Sequence, residues 1–235
     1  MSRPSPLHGD APFQIVLRPN SLHRRRMYVP AHFAESRPEV LHELVRDFPL
    51  AALVGPSADG LDANLIPFVL DADVPPLGRL RGHVARANPL WRDPHPREVL
   101  ALFHGPSAYV SPTWYPVKAV TGRVVPTWNY IVVQARCQLR VIEDPAWIRQ
   151  QIDDLTRQQE SLMPNPWTVA DAPPEFIEGL VAGIVGLELT VTHLTGKWKL
   201  SQNQPAANRQ GVIDGLRGMS DAASRAVADG MAPPA

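Results

Sequence analysis

The run from Asn129 to Ile142 sets the tightest limit on the fold. Ile131, Val133, Ala135, Cys137, Leu139 and Val141 alternate with Tyr130, Val132, Gln134, Arg136, Gln138 and Arg140. Successive side chains of a strand point to opposite faces, so the pattern predicts a long strand with one apolar face. That face needs a cover. The chain has 26 prolines in 235 residues, about twice the ~5 % of ordinary proteins, which argues for turns and short edge strands rather than a helical bundle.

The other elements follow from local pattern. Ser36-Arg37-Pro38-Glu39 reads as a capping box opening a helix through Val40, Leu41, Leu44, Val45 and Phe48, with Pro49 ending it. Leu50–Val54 and Ala63–Leu70 read as a hairpin with a longer loop turning at Asp59-Gly60. Gly78–Ala85 alternates, with Arg79, Arg81 and His83 on one face. Val99–His104 and Ala108–Ser111 read as two short strands parted by Gly105-Pro106. Asp144 caps a helix with Pro145 in its first turn and a stripe of Trp147, Ile148, Gln151, Ile152 and Leu155. A second helix starts near Asp171, using Phe176, Ile177, Leu180, Val181 and Ile184. Leu187–Leu194 is a late strand and Ala206–Arg217 a short helix. Strands arrive in runs joined by short turns. The expected class is therefore α+β, mostly β: an antiparallel sheet closing towards a barrel, with helices outside it. Residues 1–26 read as a solvated extension ending in His23-Arg24-Arg25-Arg26, 27–217 as the organised domain, and 218–235 as a frayed tail.

Composition excludes several functions. Lysine and arginine (23) balance aspartate and glutamate (23), so the chain offers nucleic acid little attraction. The single cysteine, Cys137, removes a disulfide framework and a cysteine zinc site. No apolar run nears the ~20 residues that span a membrane, and no apolar leader opens the chain, so a cytoplasmic location is expected. Dinucleotide, P-loop, zincin and nucleophile-elbow motifs do not occur.

Three dense blocks stand out. The first, Arg81-Gly82-His83-Val84-Ala85-Arg86-Ala87-Asn88-Pro89-Leu90-Trp91, sets guanidiniums that suit a carboxylate or phosphate beside an imidazole that suits a metal or a proton. Its plain alternative is a set of arginines paired with acidic neighbours round a half-buried histidine. The second runs from Phe103 through Tyr109, Trp114 and Tyr115, followed by Pro126-Thr127-Trp128-Asn129-Tyr130. Rings held by prolines can stack on a planar cofactor, line a dimer seam, or simply pack a core. The third is Gly196-Lys197-Trp198-Lys199-Leu200-Ser201-Gln202-Asn203, with Lys199 and Asn203 spaced for one face of a turn.

Together with Met27-Tyr28-Val29-Pro30-Ala31-His32-Phe33, these blocks resemble the PaiB family of FMN-binding negative transcriptional regulators, from about Met27 to Arg217. The resemblance implies a split β-barrel of the flavin-reductase and pyridoxamine-phosphate-oxidase type, forming homodimers with ligand sites at the subunit interface. It also resembles a branch of that family, the haem-dependent piperazate synthases, which close N5-hydroxy-L-ornithine into a cyclic hydrazine with loss of water. This chain departs from the regulators, which commonly carry a histidine where Gln134-Ala135-Arg136-Cys137 stands.

The leading expectation is therefore a haem b enzyme acting on an amino-acid substrate. His83 is the expected iron ligand, with His32 and His104 as fallbacks. Arg81 and Arg86 would pair with propionates or a substrate carboxylate. Trp114, Tyr115 and Trp128 would wall the macrocycle, and Lys199 and Tyr109 would orient substrate or move a proton. The alternative is an FMN-binding regulator or flavin-dependent reductase. There Arg81 and Arg86, with Lys118 or Arg123, would hold the flavin phosphate and the tryptophan wall would cover the ring.

Overall fold

The computed structural model describes residues 27–57, 60–92 and 97–232. Its elements in chain order are β1 (Ala34–Glu35), α1 (Pro38–Asp47), β2 (Leu50–Ser57), β3 (Gly60–Pro67), β4 (Val69–Asp71), β5 (Arg79–Ala85), β6 (Arg97–Val110), α2 (Val117–Thr121), β7 (Thr127–Ile142), α3 (Pro145–Glu160), α4 (Pro174–Ala182), β8 (Ile184–Lys199), α5 (Ala206–Arg217) and α6 (Ala222–Met231). The expectation for residues 1–26 lies outside the described residues.

The strands form one sheet in the order β3-β2-β6-β7-β8-β5-β4, with β1 added to β8, and every pairing is antiparallel. Among the described residues no ladder joins the two ends of that order, so hydrogen bonds do not close the sheet. The chain joins them instead: β3 and β4, the outermost strands, are separated by Phe68 alone. Phe68 is fully buried and meets Phe103 edge to face, ring centres 6.4 Å apart. Gly82 of β5 admits this ring, because a Cβ there would lie 2.9 Å from it.

β7 keeps most of the predicted alternation, with Ile131, Val133, Ala135, Cys137 and Leu139 all buried. They face Leu187, Leu189 and Val191 of β8 and Ala101 and Phe103 of β6 in one core. Val132 is buried as well, and at the far end Ile142 is buried in place of the expected Val141. Burial pushes the Cys137 thiol up to about 12, which makes it an inert apolar group. A second, smaller core of Ile148, Ile177 and Val181 holds α3 to α4.

Several expectations need correction. The two short strands round Gly105-Pro106 are one strand, β6, whose register shifts between His104 and Ser107. A bulge absorbs the extra residues without ending the ladder. The β2–β3 hairpin pairs Ser57 with Gly60, so its loop is short rather than long; Asp59 lies outside the described residues. Ser36 caps nothing: α1 begins after Arg37, and the Glu35 carboxylate takes the backbone N–H groups of Ser36 and Arg37. The segment after Asp171 turns first and starts α4 at Pro174, leaving Phe176 and Leu180 exposed. The segment from Gly218 to Ala232 is ordered, not frayed. Asp221 caps α6, and Val227, Ala228 and Met231 are buried in the core. Alanine-rich sequence hid an amphipathic helix whose apolar positions are spaced three to four apart.

Candidate functional site

The expected site residues separate into two groups at opposite ends of β8. The first lies on the outer face of β5, beneath α3. Arg81 bonds Asp71 through Nε (2.8 Å) and Nη2 (2.9 Å), and Asp154 of α3 through Nη1 (2.9 Å). Arg79 shares Asp71 and reaches Glu188, which also holds Arg140. Burial opposes ionisation of Asp71, but its bonds to Arg81 and Arg79 outweigh it and hold the carboxyl below its ordinary range. Arg86 bonds Glu143 at 2.8 Å, donates to the Ala182 and Ile184 carbonyls, and lies 5.5 Å over the Trp91 ring. These guanidiniums are committed to the chain's own acceptors, the plain alternative stated above.

His83 lies between them. Its Nδ1 is 2.7 Å from Oε1 of the fully buried Gln151. The other end of that amide donates weakly to the Arg81 carbonyl (3.5 Å), which fixes Oε1 as the acceptor and Nδ1 as the donor. In the neutral ring Nε2 then carries the lone pair, and among the described residues nothing bonds it.

The second group surrounds a cavity of about 280 Å³ at the other end, where β7 begins and β8 ends. Lys199, Arg123, Asn129, Ser201, Asn203, Gln204, Asn208 and Tyr115 line it, and no lining residue is acidic. Lys199 donates to Thr127 Oγ1 (2.7 Å) and to the Trp128 carbonyl. Desolvation, helped by the nearby Lys197 charge, pulls its ammonium below the usual lysine range. Tyr115 is buried, and loss of solvent raises its phenol.

The floor is built with some strain. Ser201 takes a left-handed backbone (φ 61°), rare outside glycine. Its hydroxyl and the amide of the fully buried Asn129 bond each other (3.0 and 3.2 Å), and the Asn129 amide also reaches the Met231 sulfur at 3.4 Å. The ordered C-terminal helix thus touches the cavity floor.

Beside the mouth lies an exposed aromatic surface on the outer face of β6–β8. Tyr109 and Trp128 are cross-strand partners with rings 6.1 Å apart, 47 % and 56 % exposed. Lys197 stands 5.3 Å over the Tyr130 ring and 5.7 Å over Tyr28. Trp114 is not part of this wall. It packs beneath α5, where a Cβ at Gly215 would lie 2.3 Å from its indole. His104 is exposed on β6, and His32 sits edge-on to Phe33.

Lys199, Tyr115, Trp128 and Tyr109 therefore share one end, and Arg81, His83 and Arg86 share the other. Sequence reasoning missed Asn129, Ser201, Gln204 and Asn208, because single amides in a strand or turn carry no motif. No cluster of three or more histidine, cysteine or acidic side chains among the described residues could hold a metal ion. No described helix is long and apolar enough to cross a membrane.

Residues 27–193 match the protein family described as "Putative FMN-binding domain". The chain belongs to this FMN-binding, PaiB-like family. It is 37 % identical over 237 residues to an uncharacterised Aspergillus fumigatus protein, covering 81 % of this chain and 90 % of that one. It is 28 % identical over 192 residues to "Protease synthase and sporulation protein PAI 2" of Bacillus subtilis, covering 81 % and 89 %. In fold it is similar to a flavocytochrome from Azotobacter vinelandii, with a TM-score of 0.54, 13 % identity, and coverage of 71 % and 69 %. A conserved hypothetical protein from Mycobacterium tuberculosis gives a TM-score of 0.50 at 13 % identity, covering 76 % and 94 %. The split-barrel architecture agrees with the expectation. The family points to FMN, the alternative above, ahead of haem b.

Proposed function

We propose that this protein is an FMN-binding flavin protein of the PaiB type, with its flavin at the aromatic and cationic end of the barrel. The observation that carries the reading is the chemistry of that end: flat exposed rings and several cations beside a cavity with no acidic lining residue. A flavin mononucleotide needs a wall for its tricyclic ring and positive charge for its phosphate. Tyr109, Trp128 and Tyr130 supply the wall, and Lys118 and Lys197 are solvent-side cations nearby. When bound, FMN supplies electron and hydride transfer. The protein's own part is to stack the ring, hold the phosphate and admit a small substrate, which supports a reductase or a redox-sensing regulator. The Tyr109 and Trp128 rings of that wall are about half exposed, which suits a flavin site completed by a second chain.

A homodimer is part of the proposal. The outer face of β2, β3 and β6 is apolar across three strands: Leu50, Ala52 and Val54, then Ala63 and Leu65, then Leu100 and Leu102. Leu65 is 72 % and Leu50 55 % exposed, on an edge of the sheet. Such a face usually marks an association surface. Leu65→Lys is expected to shift the protein from dimer to monomer in sedimentation.

Absorbance tests the flavin. Purified protein, or protein incubated with FMN, is expected to show bound flavin's visible bands. A preparation that takes up no flavin overturns the reading.

His83 favours a second reading, a haem b cyclase of the piperazate-synthase type acting on N5-hydroxy-L-ornithine. An imidazole whose Nδ1–H is held by a buried carbonyl is oriented to offer Nε2 to iron. Arg81 and Arg86, being paired, would give such a haem no propionate partner without breaking those pairs. A Soret band lost in His83→Ala would establish this reading. Absence of any Soret band after haem addition removes it.

A further inference from the structure

The cavity at the end of β7 and β8 is more than a continuation of the aromatic wall. Lys199 donates two of its three ammonium N–H groups to Thr127 Oγ1 and the Trp128 carbonyl, which leaves one. Arg123 enters from the segment after α2, and among the described residues no carboxylate pairs with its guanidinium. On the β5 flank every arginine described above has such a partner. Asn203, Gln204 and Asn208 complete the lining. Asn208 is almost fully buried and donates to Gln204, which orders the amide wall. Two cations and several amides line one space with no acid among them, which favours an incoming anion.

We propose that this cavity is an oxyanion site for the protein's small-molecule substrate, in which Arg123 and Lys199 clasp a carboxylate or phosphate and the amides read the remainder of the molecule. A volume of about 280 Å³ falls just below the ~300–1,000 Å³ usual for drug-sized ligands, which suits a small organic acid. The guanidinium fork matches either oxyanion, and the ammonium adds a point charge. The inference rests on the flavin reading for its neighbour at the wall, but it assigns a different ligand to different residues.

Calorimetric titration of the full chain, with whatever flavin it carries, tests the site using succinate and inorganic phosphate in separate arms. Saturable binding is expected in at least one arm, and the preferred arm identifies carboxylate or phosphate as the natural group. Arg123→Gln and Lys199→Met should each weaken it about tenfold, with flavin content per chain unchanged in Arg123→Gln; Lys199, which holds the Trp128 carbonyl and lies 5.9 Å from the Tyr130 ring, does not serve as that control. Circular dichroism melting controls for folding, and Lys199→Arg, which keeps the charge, should restore part of the affinity. No saturable binding in either arm overturns the proposal, as does equal binding by the variants. A fall in the flavin content of Arg123→Gln parallel to the loss of anion affinity also overturns it, since that would place Arg123 on the flavin phosphate. If the protein proves colourless, the titration still reads the anion, so the two readings fail separately.

Discussion

The two ends of β8 carry the same kinds of side chain and treat them in opposite ways. On the β5 flank, Arg79, Arg81, Arg86 and Arg140 meet Asp71, Asp154, Glu143 and Glu188. At the mouth, Arg123 and Lys199 face amides and a void. Charge spent on the chain's own carboxylates stabilises a fold; charge left facing a cavity can select a ligand. The flank is closed by α3, whose Gln151 and Asp154 descend onto His83 and Arg81. The strand ends, a strained turn and residues of α2 and α5 border the mouth, and none of the lining residues is acidic, so the cations there meet neutral acceptors and no counter-charge. Residue type alone therefore misleads about function. What matters is whether a second element supplies the counter-charge.

Removing a flank charge should give the largest effect. Arg81→Met leaves Asp71 and Asp154 without their shared cation and is expected to cost about 3 kcal/mol in chemical denaturation. That is the low end for a buried pair, because the two carboxylates remain about a fifth exposed. Flavin content should not change. A loss of flavin without a loss of stability would erase the distinction between the two ends. The converse experiment is Trp128→Ala. The ring is 56 % exposed, so stability should move by less than ~0.5 kcal/mol. Flavin affinity, followed by fluorescence quenching, should fall up to about tenfold, the worth of one good ring contact.

Much of the fold was legible in the sequence; the division between the two ends was not, since the sequence reading gathered both groups round one cofactor. β7 announced itself because alternation over a long run has no helical reading. The short helix expected over Ala206–Arg217 is found over those residues. α6 was missed because Ala222, Ala223 and Ala226 look like a tail until Val227, Ala228 and Met231 are seen to share a buried face. Arg81 and His83 stand out in the sequence as a dense block. Their partners, Asp71, Gln151 and Asp154, lie on other elements, and one sequence does not show that α3 folds back over β5. At the mouth Lys199 and Asn203 were legible as a pair in one block. Asn129 and Ser201 were not, since they meet only when the ends of β7 and β8 come together.

The floor of the mouth offers a finer test. Ser201 holds its left-handed backbone while bonding Asn129. Ser201→Ala and Ser201→Gly both delete that bond, but only glycine relaxes the backbone. The glycine variant should be about 1 kcal/mol more stable than the alanine variant in thermal unfolding. Equal stabilities would show that the turn stores no strain.

The smallest expected effect concerns an ion pair at β1, the short strand added to β8. β1 adds to β8 at Gly196–Lys197, and its Glu35 bonds Arg37 at 2.6 Å as well as the backbone N–H groups of Ser36 and Arg37. The Arg37 hydrogen bond, joined by those N–H groups, lowers the Glu35 carboxyl from its ordinary 4.5 to about 2. A carboxyl whose folded value lies below its unfolded one contributes stability above about pH 4.5, and that contribution is lost as pH falls towards 2. Arg37 is two-thirds exposed, so solvent screens the pair and its worth should stay below about 1 kcal/mol. Glu35→Gln keeps an acceptor for the backbone N–H groups and removes the titration. Subtracting its stability profile from that of the unmodified chain, between pH 5 and pH 2, should leave a small decline towards acid. A flat difference would mean that the backbone bonds alone hold β1 in place. On the closed flank Asp71 is also held below its ordinary range, against burial, by Arg81 and Arg79, so Arg81→Met should likewise shrink the loss of stability towards acid there.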